Sequence, residues 1–377
     1  MRLALISRRF DPAGGGTERD LNVTAGILSR AGHQVTIYAA EVRAPSPAWM
    51  VKRVATPPLG RAFRLLWFAR SAGAIARRDG AEIVLSFARI IDADVLRSGG
   101  GAHSSYLRAA RRWRSAAGAA AMRLAPYHRV QIAVEAAGFR NPRLRRAIAV
   151  SNLVRDDLNA AFKLAPGVAA TIYNGVELDR FHPEPDSAAR REIRRRLGVA
   201  DCGFVALFVG NGFARKGLGY LIEAWPPANS NARLVVVGAD RKTNDYRTLA
   251  RRRGLERTVA FLGPRNDVEI LMRSADALAL PSLFEPFGNV AVEAMASGAP
   301  ALVSGWCGAA EVMPPELRRF VVGNPLDSSE LAAKLRGLIE QAPTLRAAAR
   351  AAAEAYTWKR HGRELLALIE EAAAMRR

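Results

Sequence analysis

The sequence predicts an α/β protein of two domains, the second of them built on a doubly wound sheet, and three observations lead to that prediction. The chain has 377 residues, more than a single hydrophobic core usually organises. Half of its residues are hydrophobic, which excludes general disorder. From residue 204 onward, short apolar runs alternate with segments of helical periodicity, as in parallel sheets covered by helices.

The first half begins with an apolar run that predicts a buried strand at Arg2–Ser7. A glycine-rich run at residues 13–16 follows, and then Thr17, which we expect to be the N-cap of a helix that reaches about Ala31. Glycines in front of a helix let the backbone approach a phosphate closely, although such a run is as often only a loop. A second strand is predicted after Gly32.

Further elements follow from the same periodicities. Residues 61–78 predict an amphipathic helix with a basic face, and residues 82–86 and 147–151 predict strands. A break at 183–187 precedes a basic helix predicted at 188–197. The strands predicted in the second half are 204–209, 233–237, 259–262, 277–280, 300–303 and 320–322, and a last helix is predicted from about residue 358. This alternation predicts a doubly wound sheet in the second half.

The chain is strongly basic, with 56 Lys and Arg against 35 Asp and Glu and a formal net charge of +21. Such an excess favours a polyanionic partner: nucleic acid, an anionic membrane face or a phosphorylated substrate. No run approaches the roughly 18 apolar residues of a membrane span, and residues 3–6 are too short for a signal-peptide core, so we expect a cytoplasmic protein. Cys202 and Cys307 lack metal-ligand spacing, and we expect both to be reduced and structural.

The stretch at 282–298 carries the strongest indication of a binding site. A helix is predicted at 289–297, directly behind the carboxyl end of the strand at 277–280, where open α/β sheets bind ligands. The backbone N–H groups at the start of this helix have no partner within it and suit an anion. These are the N–H groups of Gly288, Asn289 and Val290.

Two carboxylates, Glu285 and Glu293, flank this anion site. Carboxylates repel a phosphate, but an ionised carboxylate accepts hydrogen bonds from paired hydroxyl groups. Together with the anion site they predict a sugar nucleotide as the ligand. A second cationic element, Arg215 and Lys216, lies between glycines in the loop after the strand at 204–209. These cations fit a diphosphate, the alternative being a solvated Arg-Lys pair.

The pattern Glu285-x7-Glu293, with Pro-Phe-Gly-Asn between, resembles the signature of the retaining glycosyltransferases of the GT-B fold, family 4. Residues 297–303 and 308–311 resemble the next strand and loop of that family. The alternative is a surface helix with two solvated glutamates. The resemblance implies two Rossmann-like doubly wound domains that face a cleft. They are an acceptor-binding domain at 1–167, a nucleotide-sugar-binding domain at 168–357 and a closing helix at 358–377 that crosses back to the first domain.

The same resemblance implies roles for individual residues. Glu285 would hold the hydroxyls of the sugar and Glu293 the ribose. Since no carboxylate nucleophile is identified, the acceptor hydroxyl would attack on the face of the leaving group, with the departing phosphate as base. The residues predicted as catalytic are His103, Arg215, Lys216 and Glu285. Those predicted to bind the nucleotide sugar are Gly15, Gly16, Arg215, Lys216, Arg265, Phe287, Gly288, Asn289, Val290 and Glu293.

Three motifs of the first domain are interpreted in the same light. The glycine run at 98–101 leads to His103, and in this family a histidine at the matching place contacts the transferred sugar; the alternative is a turn histidine. The glycines at 15–16 resemble the loop that closes over the donor diphosphate and meets the acceptor. Asp92-Ala93-Asp94 resembles the metal motif of the other glycosyltransferase fold, but we favour a structural role. Arg215 and Lys216 would replace a metal, so none is expected.

Residues 106–146 contain ten arginines and one acid, Glu135, interleaved with apolar and aromatic side chains. Such a face suits an anionic bilayer, although a charge run is usually a solvated helix face. Lipopolysaccharide core glucosyltransferases carry a basic membrane-facing segment at a corresponding place, and 212–217 and 263–268 are also similar to that subgroup. The resemblance implies UDP-glucose as donor and a lipid-linked glycan as acceptor, in the heptose region of the lipopolysaccharide core. It also implies peripheral attachment to the cytoplasmic face of the inner membrane, with no nucleic-acid partner.

Two other hypotheses stay open. The first is a non-catalytic binder of polyanions or nucleic acid, which salt-dependent nucleic-acid binding without sugar-nucleotide binding would favour. The second is another sugar-nucleotide enzyme on the same fold, either a different hexosyltransferase or an epimerase. An epimerase would not need the basic apolar stretch at 106–127.

Overall fold

The computed structural model describes residues 1–12, 14–46, 48–184, 187–196, 198–199, 203–226 and 231–375, with the backbone alone for Ser187. The chain divides into two compact units. The first comprises Met1–Asn174 and Trp358–Arg377, and the second comprises Gly175–Thr357. Cys202 and Leu197, the predicted end of the basic helix, lie outside the described residues.

Within the described residues, the first unit contains a seven-stranded parallel sheet of order β3-β2-β1-β4-β5-β6-β7. The strands are β1 (Arg2–Phe10), β2 (Gln34–Val42), β3 (Met50–Arg53), β4 (Ile83–Ser86), β5 (Val95–Ser98), β6 (Arg146–Ala149) and β7 (Ala169–Thr171). The helices are α1 (Gly16–Arg30), α2 (Arg61–Arg78), α3 (His103–Ala109), α4 (Ala116–Leu124), α5 (Pro126–Phe139), α6 (Asn152–Phe162) and α14 (Trp358–Ala374), with a 3-10 turn at Ala110–Arg112.

The second unit, in its described part, contains a six-stranded parallel sheet of order β10-β9-β8-β11-β12-β13. The strands are β8 (Phe204–Val209), β9 (Ala232–Val237), β10 (Val259–Gly263), β11 (Ala277–Leu280), β12 (Ala301–Ser304) and β13 (Val321–Val322). The helices are α7 (Ser187–Arg196), α8 (Leu218–Ala224), α9 (Thr243–Arg252), α10 (Val268–Ser274), α11 (Asn289–Ala296), α12 (Pro315–Arg318) and α13 (Ser328–Glu354), with a 3-10 turn at Gly308–Val312.

The central strands of the second sheet are apolar because helices cover both of its faces. All four residues of β11 and of β12 are buried, as are the first five of β8. A strand buried on both faces reads as a continuous apolar run and not as an alternation. In each sheet the strand order reverses once, between β1 and β4 and between β8 and β11, and these are the switch points at which such sheets bind ligands.

Helix α14 completes the core of the first unit. Its apolar face packs against β1, β2 and α1 in one hydrophobic cluster, and His361 Nδ1 donates to the main-chain oxygen of Tyr173 at 2.8 Å. The residues that α14 contributes to this cluster are Leu365, Leu368, Ile369 and Ala372. The closing helix is therefore part of the first compact unit.

Two predictions about the first unit are wrong. Thr17 is not an N-cap, because α1 begins at Gly16 and Gly15 takes the extended N-cap conformation. The boundary predicted between residues 167 and 168 lies too early, because β7 pairs with β6 and extends the first sheet, so the units divide after Asn174.

Candidate functional site

The loops that follow β8 and β11 meet at the switch point of the second sheet. The two strands are paired in the sheet, Ala277 with Ala206 and Leu278 with Leu207. Because parallel strands end at the same edge, the loop at 210–217 lies beside the loop at 281–288. The structure thus places Arg215 and Lys216 next to Glu285.

Lys216, Arg215 and Glu285 form one ion-paired cluster. Lys216 Nζ lies 2.7 Å from Glu285 Oε2, and Arg215 Nη1 lies 3.1 Å from the same oxygen. Arg215 Nη1 also donates to the main-chain oxygen of Phe284 at 2.7 Å. Two positive charges thus face one negative charge, and the cluster keeps a net attraction for an anion.

The charge of Glu285 is set by its two partners. Its side chain is 13% exposed, and burial alone raises the pKa of a carboxyl. Lys216 and then Arg215 outweigh this burial and hold the pKa of Glu285 below its usual value. Glu285 is therefore an ionised acceptor at neutral pH.

Cys307 lies beside this carboxylate as a buried free thiol. Burial, and then the negative charge of Glu285, raise the pKa of the Cys307 thiol to about 12. The thiol is therefore protonated at neutral pH, and its Sγ donates to the main-chain oxygen of Phe287 at 3.1 Å. This is the reduced, structural cysteine that the sequence predicts at this position.

Close backbone contacts hold the two loops together. Leu283 N donates to the main-chain oxygen of Arg215 at 2.7 Å. Gly217, with φ 78°, is the N-cap of α8, and a Cβ at this position would lie 2.1 Å from the main-chain oxygen of Pro281. Only glycine fits at such a distance and at this φ, so Gly217 fixes the approach of the two loops.

Helix α11 begins directly behind the loop that carries Glu285. Gly288 is its N-cap in the left-handed region, with φ 95°, and a Cβ there would lie 2.8 Å from Cys307 Sγ. Asn289 and Val290 are the first two residues of the helix, and Glu293 follows one turn later, half-buried. The first-turn N–H groups of a helix have no acceptor within it, so this end of α11 suits an anion beside the cationic cluster.

Phe287 and Arg265 are placed differently from the other predicted residues. The side chain of Phe287 is buried, and its main-chain oxygen also accepts from Ala309 N at 2.6 Å. Arg265 follows β10, the outermost strand of the sheet, with β9 between β10 and β8. Its guanidinium donates to both carboxylate oxygens of Asp267, at 2.8 and 2.6 Å, and this contact raises the pKa of Arg265. The structure does not bring Arg265 into the Lys216–Arg215–Glu285 cluster.

Gly15 and Gly16 follow β1, at the switch point of the first sheet. A Cβ built on either glycine meets no described atom within 4 Å, and neither has a positive φ. The described surroundings of these two positions therefore do not themselves demand glycine. Their contact with a donor stays a prediction.

His103 is the first residue of α3 and is buried. Its main-chain N–H donates to Glu135 Oε2 at 2.7 Å, and its ring Nε2 lies 2.9 Å from His128 Nδ1. Burial, and then the positive charge of Arg89, lower the pKa of His103 to about 4. The imidazole is therefore neutral at neutral pH, and one of the two rings donates to the other.

The partners of His103 were not predicted from the sequence. Glu135 is buried, and its Oε1 accepts from Arg89 Nε at 2.8 Å. Burial raises the pKa of Glu135, although Arg89 and the N–H of His103 oppose that shift. His128 lies 25 residues from His103 in the chain. The sequence of 106–146 does contain one indication of the contact with Glu135. Glu135 is the single acid among ten arginines, and a buried carboxylate needs a specific partner.

Asp92 and Asp94 are held by arginines. Arg77 Nε donates to Asp92 Oδ1 at 3.1 Å, and Arg77 Nη2 lies 3.1 Å from Asp94 Oδ2. Asp94 is buried, and its Oδ2 also accepts from Val84 N at 2.8 Å. These contacts fit the structural role favoured above. Among the residues that the structure describes, no group of three or more His, Cys, Asp or Glu is arranged to hold a metal ion.

The basic segment at 106–146 folds into most of α3, the 3-10 turn, α4, α5 and the first residue of β6. Tyr106 packs on His103 with ring centroids 5.8 Å apart, and Trp113 packs on Tyr106 at 5.9 Å. In the described part of the chain, none of the helices combines the length and the apolar character that a membrane crossing requires.

Two family models match the chain. Residues 14–180 match the model described as Glycosyltransferase Family 4, and residues 189–356 match the model described as Glycosyl transferases group 1. Over 225 residues the chain is 29% identical to lipopolysaccharide glucosyltransferase WaaG of Escherichia coli (strain K12), covering 59% of this chain and 60% of that protein. The chain spans about half the length of the curated relatives it matches.

Solved structures resemble the chain over nearly its whole length. The crystal structure of WaaG, a glycosyltransferase involved in lipopolysaccharide biosynthesis, matches with a TM-score of 0.80 and 24% identity, over 96% of this chain and 98% of that chain. Anabaena Alr3699/HepE in complex with UDP-glucose matches with a TM-score of 0.73 and 20% identity, over 98% and 99%. These likenesses confirm the predicted fold, two Rossmann-like domains with parallel sheets.

Proposed function

Because the chain belongs to the GT-B glycosyltransferases of group 1 and family 4, we propose that it transfers a hexose from a nucleoside diphosphate sugar to an acceptor hydroxyl, with retention at the anomeric carbon. One observation carries the proposal: the cluster of Lys216, Arg215 and Glu285 lies at the switch point of the second sheet, where the loop that carries Glu285 leads into α11. Two cations that suit a diphosphate thus lie beside a carboxylate that suits sugar hydroxyls.

The donor that we propose is UDP-glucose. In support, a protein of the same fold, Anabaena Alr3699/HepE, has been solved in complex with UDP-glucose. Here the phosphates would lie against Lys216, Arg215 and the N-terminus of α11, and Glu293 would accept from the ribose. Phosphate oxygens that take over the two cations would free Glu285 to accept from the sugar hydroxyls.

The reaction that we propose breaks the bond between the anomeric carbon and the phosphate oxygen, and forms a bond from that carbon to the acceptor oxygen. The acceptor proton passes to the departing phosphate oxygen, so the products are the glycoside and the nucleoside diphosphate. Lys216 and Arg215 stabilise the negative charge that develops on the leaving diphosphate. His103, neutral at neutral pH, would hydrogen-bond the transferred sugar.

The same cations make a metal unnecessary in this proposal, because they supply the positive charge that a divalent ion supplies elsewhere. Turnover should therefore be unchanged in EDTA. A turnover that stops in EDTA and returns with Mg²⁺ or Mn²⁺ would contradict this part of the proposal.

The acceptor that we propose is a lipid-linked glycan, in the heptose region of the lipopolysaccharide core, reached from the cytoplasmic face of the inner membrane. Two observations support it. The E. coli relative is a lipopolysaccharide glucosyltransferase, and the segment at 106–146 has ten arginines and one acid beside apolar side chains. Each basic residue near an anionic membrane contributes about 1 kcal/mol to binding.

The experiment that tests the donor is calorimetric binding of UDP-glucose, UDP-galactose, UDP-N-acetylglucosamine and a GDP-sugar to the purified protein. Glu293→Ala is measured beside it, with Glu340→Ala, an exposed glutamate of α13, as the matched control. We expect UDP-glucose to bind wild type and the control, and to bind the Glu293 variant at least about tenfold more weakly.

Other outcomes are equally decisive. Binding of a different nucleotide sugar would change the donor and keep the site. Equal binding by the Glu293 variant would remove Glu293 from the site. If no nucleotide sugar binds and nucleic acid binds in a strongly salt-dependent way, the hypothesis of a polyanion binder replaces glycosyl transfer.

A further inference from the structure

A pocket lies at the C-terminal end of α11, in the second unit. Helix α13 lines it with Arg346, Arg350 and Glu354, which are four positions apart and therefore share one helix face. Pro183, Gly298 and two alanines of α13 complete the lining. The pocket has a volume of about 320 Å³, and small-molecule sites usually have roughly 300–1,000 Å³.

This pocket is separate from the site proposed for the nucleotide sugar. Gly298 lies just beyond the last turn of α11, whereas Gly288 caps its first turn, and the eight helical residues between them span about 12 Å. Arg346 Nη1 donates to the main-chain oxygen of Ala275, before β11, at 3.3 Å, whereas the loop at 281–288 follows that strand. The two sites therefore lie at opposite ends of β11 and of α11.

Small residues keep the pocket open. Ala347 and Ala351 are exposed and line the pocket beside the long side chains of α13. Gly298 has φ 73°, and a Cβ built on it would lie 3.3 Å from Pro183 Cγ and 3.5 Å from Arg346 Nη2. A side chain at residue 298 would therefore take up space beside the Arg346 guanidinium, and glycine leaves that space to a ligand.

Arg346 belongs to a cluster in which arginines outnumber acids. Arg190 Nη2 donates to Asp276 Oδ1 at 2.6 Å, and Arg194 Nη2 donates to Asp276 Oδ2. Asp276 Oδ2 also accepts from Val205 N at 2.7 Å, so both carboxylate oxygens have partners. Arg346 forms no ion pair within the described part of the chain. Three guanidiniums and one carboxylate thus leave two positive charges in excess.

The excess of positive charge acts on Arg346. Burial, and then the positive charge of Arg190, lower the pKa of Arg346, although Asp276 opposes this shift. Arg190 Nε is also buried, and no described residue accepts a hydrogen bond from it. An anion stabilises a half-buried guanidinium that lies beside like charges. Because Arg346 lines the pocket, an anion in the pocket would reach it.

Arg350 is held in a fixed position one helical turn after Arg346. Its Nη1 donates to the main-chain oxygens of Phe181 and Ala296 at 2.9 and 2.7 Å, and its Nε donates to Glu354 Oε1 at 2.6 Å. A planar guanidinium that is fixed in this way suits a phosphate, whose oxygens accept from paired N–H donors. The Glu354 side chain is 51% exposed, and its carboxylate is an acceptor for hydroxyl groups.

We propose that this pocket, which we call the α13 pocket, binds a small phosphorylated polyol, with its phosphate against Arg346 and Arg350 and a hydroxyl on Glu354. The volume leaves room for a carbon chain beside the phosphate, and Pro183 and the two alanines suit that chain. A nucleic-acid strand would instead need a groove that follows several phosphates. The inference goes beyond the proposed function, because neither the donor nor the acceptor proposed above occupies this pocket.

The test is calorimetric binding of glycerol 3-phosphate, with inorganic phosphate and glycerol as probes of its two parts. Arg346→Gln removes a charge from the α13 pocket, and Ala347→Leu narrows the pocket while it keeps every charge. The matched control is Arg336→Gln, an exposed arginine of α13 that does not line the pocket. Lys216→Ala reports any binding at the proposed donor site. Thermal unfolding checks that every variant is folded.

We expect wild type, Arg336→Gln and Lys216→Ala to bind glycerol 3-phosphate with the same affinity. Arg346→Gln should bind it at least about tenfold more weakly, because a charge-assisted hydrogen bond to the phosphate is lost. Ala347→Leu should also lose at least about tenfold, because the leucine takes the space of the carbon chain. Inorganic phosphate should bind wild type more weakly than glycerol 3-phosphate does, and glycerol should not bind.

Four results would overturn the proposal. Wild type that does not bind glycerol 3-phosphate would remove the ligand, and wild-type affinity in both pocket variants would remove the α13 pocket. Weaker binding by Lys216→Ala, with the pocket variants unchanged, would place the ligand at the donor site. Equal affinities for inorganic phosphate and glycerol 3-phosphate would reduce the site to one for phosphate alone.

Failure of the proposed function is a separate outcome. Binding of UDP-glucose, measured on the same preparations, should be the same in wild type and in both variants of the α13 pocket. If wild type binds glycerol 3-phosphate and no nucleotide sugar, the proposed glycosyl transfer is contradicted while the α13 pocket stands.

Discussion

Replacing Lys216 by alanine tests the ion-paired cluster most directly. Lys216 has a side chain that is 10% exposed, and its Nζ lies 2.7 Å from Glu285 Oε2. The substitution leaves Arg215 alone with Glu285, so the net charge of the cluster falls from +1 to zero. A positioned donor to a developing negative charge stabilises the transition state by about 3–4 kcal/mol. We therefore expect kcat to fall by roughly 10²–10³-fold.

The assay is release of nucleoside diphosphate from UDP-glucose in the presence of acceptor, with kcat and KM measured separately. Lys334→Ala is the matched control, because Lys334 belongs to the same unit and its Nζ donates to the main-chain oxygen of Arg319 at 2.8 Å. Lys216→Arg keeps the charge and should retain more turnover than the alanine variant. Urea unfolding checks that the loss is not one of folding, since removing one partner of a buried ion pair costs up to about 3–5 kcal/mol. A folded Lys216→Ala protein with kcat within about threefold of wild type would refute the reasoning.

Three further predictions follow from contacts described above. Gly217→Ala should lower the free energy of unfolding by more than about 1 kcal/mol, because its Cβ would lie 2.1 Å from a main-chain oxygen. Gly15→Ala, in contrast, should leave thermal stability unchanged and weaken UDP-glucose binding. A melting temperature that falls in the Gly15 variant and not in the Gly217 variant would contradict both expectations. Burial lowers the pKa of His103 and of His361 from 6.5 to about 4, so the unfolded chain binds more protons, and the free energy of unfolding should fall as the pH drops from 6.5 to about 4. In urea titrations at each pH, His361→Gln should reduce that fall by about 3 kcal/mol. An unchanged pH dependence of the free energy of unfolding would show that His361 does not contribute. Asp94→Ala should destabilise the protein by about 1–3 kcal/mol, because Val84 N loses its buried acceptor, whereas Arg77 keeps its ion pair with Asp92. Activity per folded molecule should stay at the wild-type level, and a gain or loss of metal dependence in this variant would speak for a metal role instead.

The sequence predicted the central strands of the second sheet best. Phe204–Val209 and Ala277–Leu280 form strands with the bounds that the apolar runs predicted. Such strands are buried on both faces, so their composition depends little on what packs against them. The edge strands β3 and β7 were not predicted. In β3 the burial is slight, and no residue of β7 is fully buried, so neither has the apolar run that marks a central strand.

The individual residues of the site were easier to predict than their partners. Arg215, Lys216 and Glu285 were selected for the chemistry that their types suit, yet the ion pairs between positions about 70 apart follow only from the pairing of β8 with β11. The contacts of His103 with Glu135 and His128 likewise depend on how α3 and α5 pack. Arg265 was predicted to bind the nucleotide sugar, but its guanidinium instead donates to Asp267, two residues along the chain. Local pattern predicts which groups carry chemistry, and tertiary packing decides which of them meet.

The place of α14 in the first core sets an order for folding during synthesis. The ribosome makes residues 175–357, the whole second unit, before it makes the helix that supplies Leu365 and Ile369 to the cluster around β1. Each of these side chains contributes roughly 1.5–3 kcal/mol when buried. The unit that begins first is therefore completed last, and until then the apolar side chains around β1 lack the helix face that packs on them. A chain cut after residue 357 should leave the second unit folded and the first unit prone to aggregation.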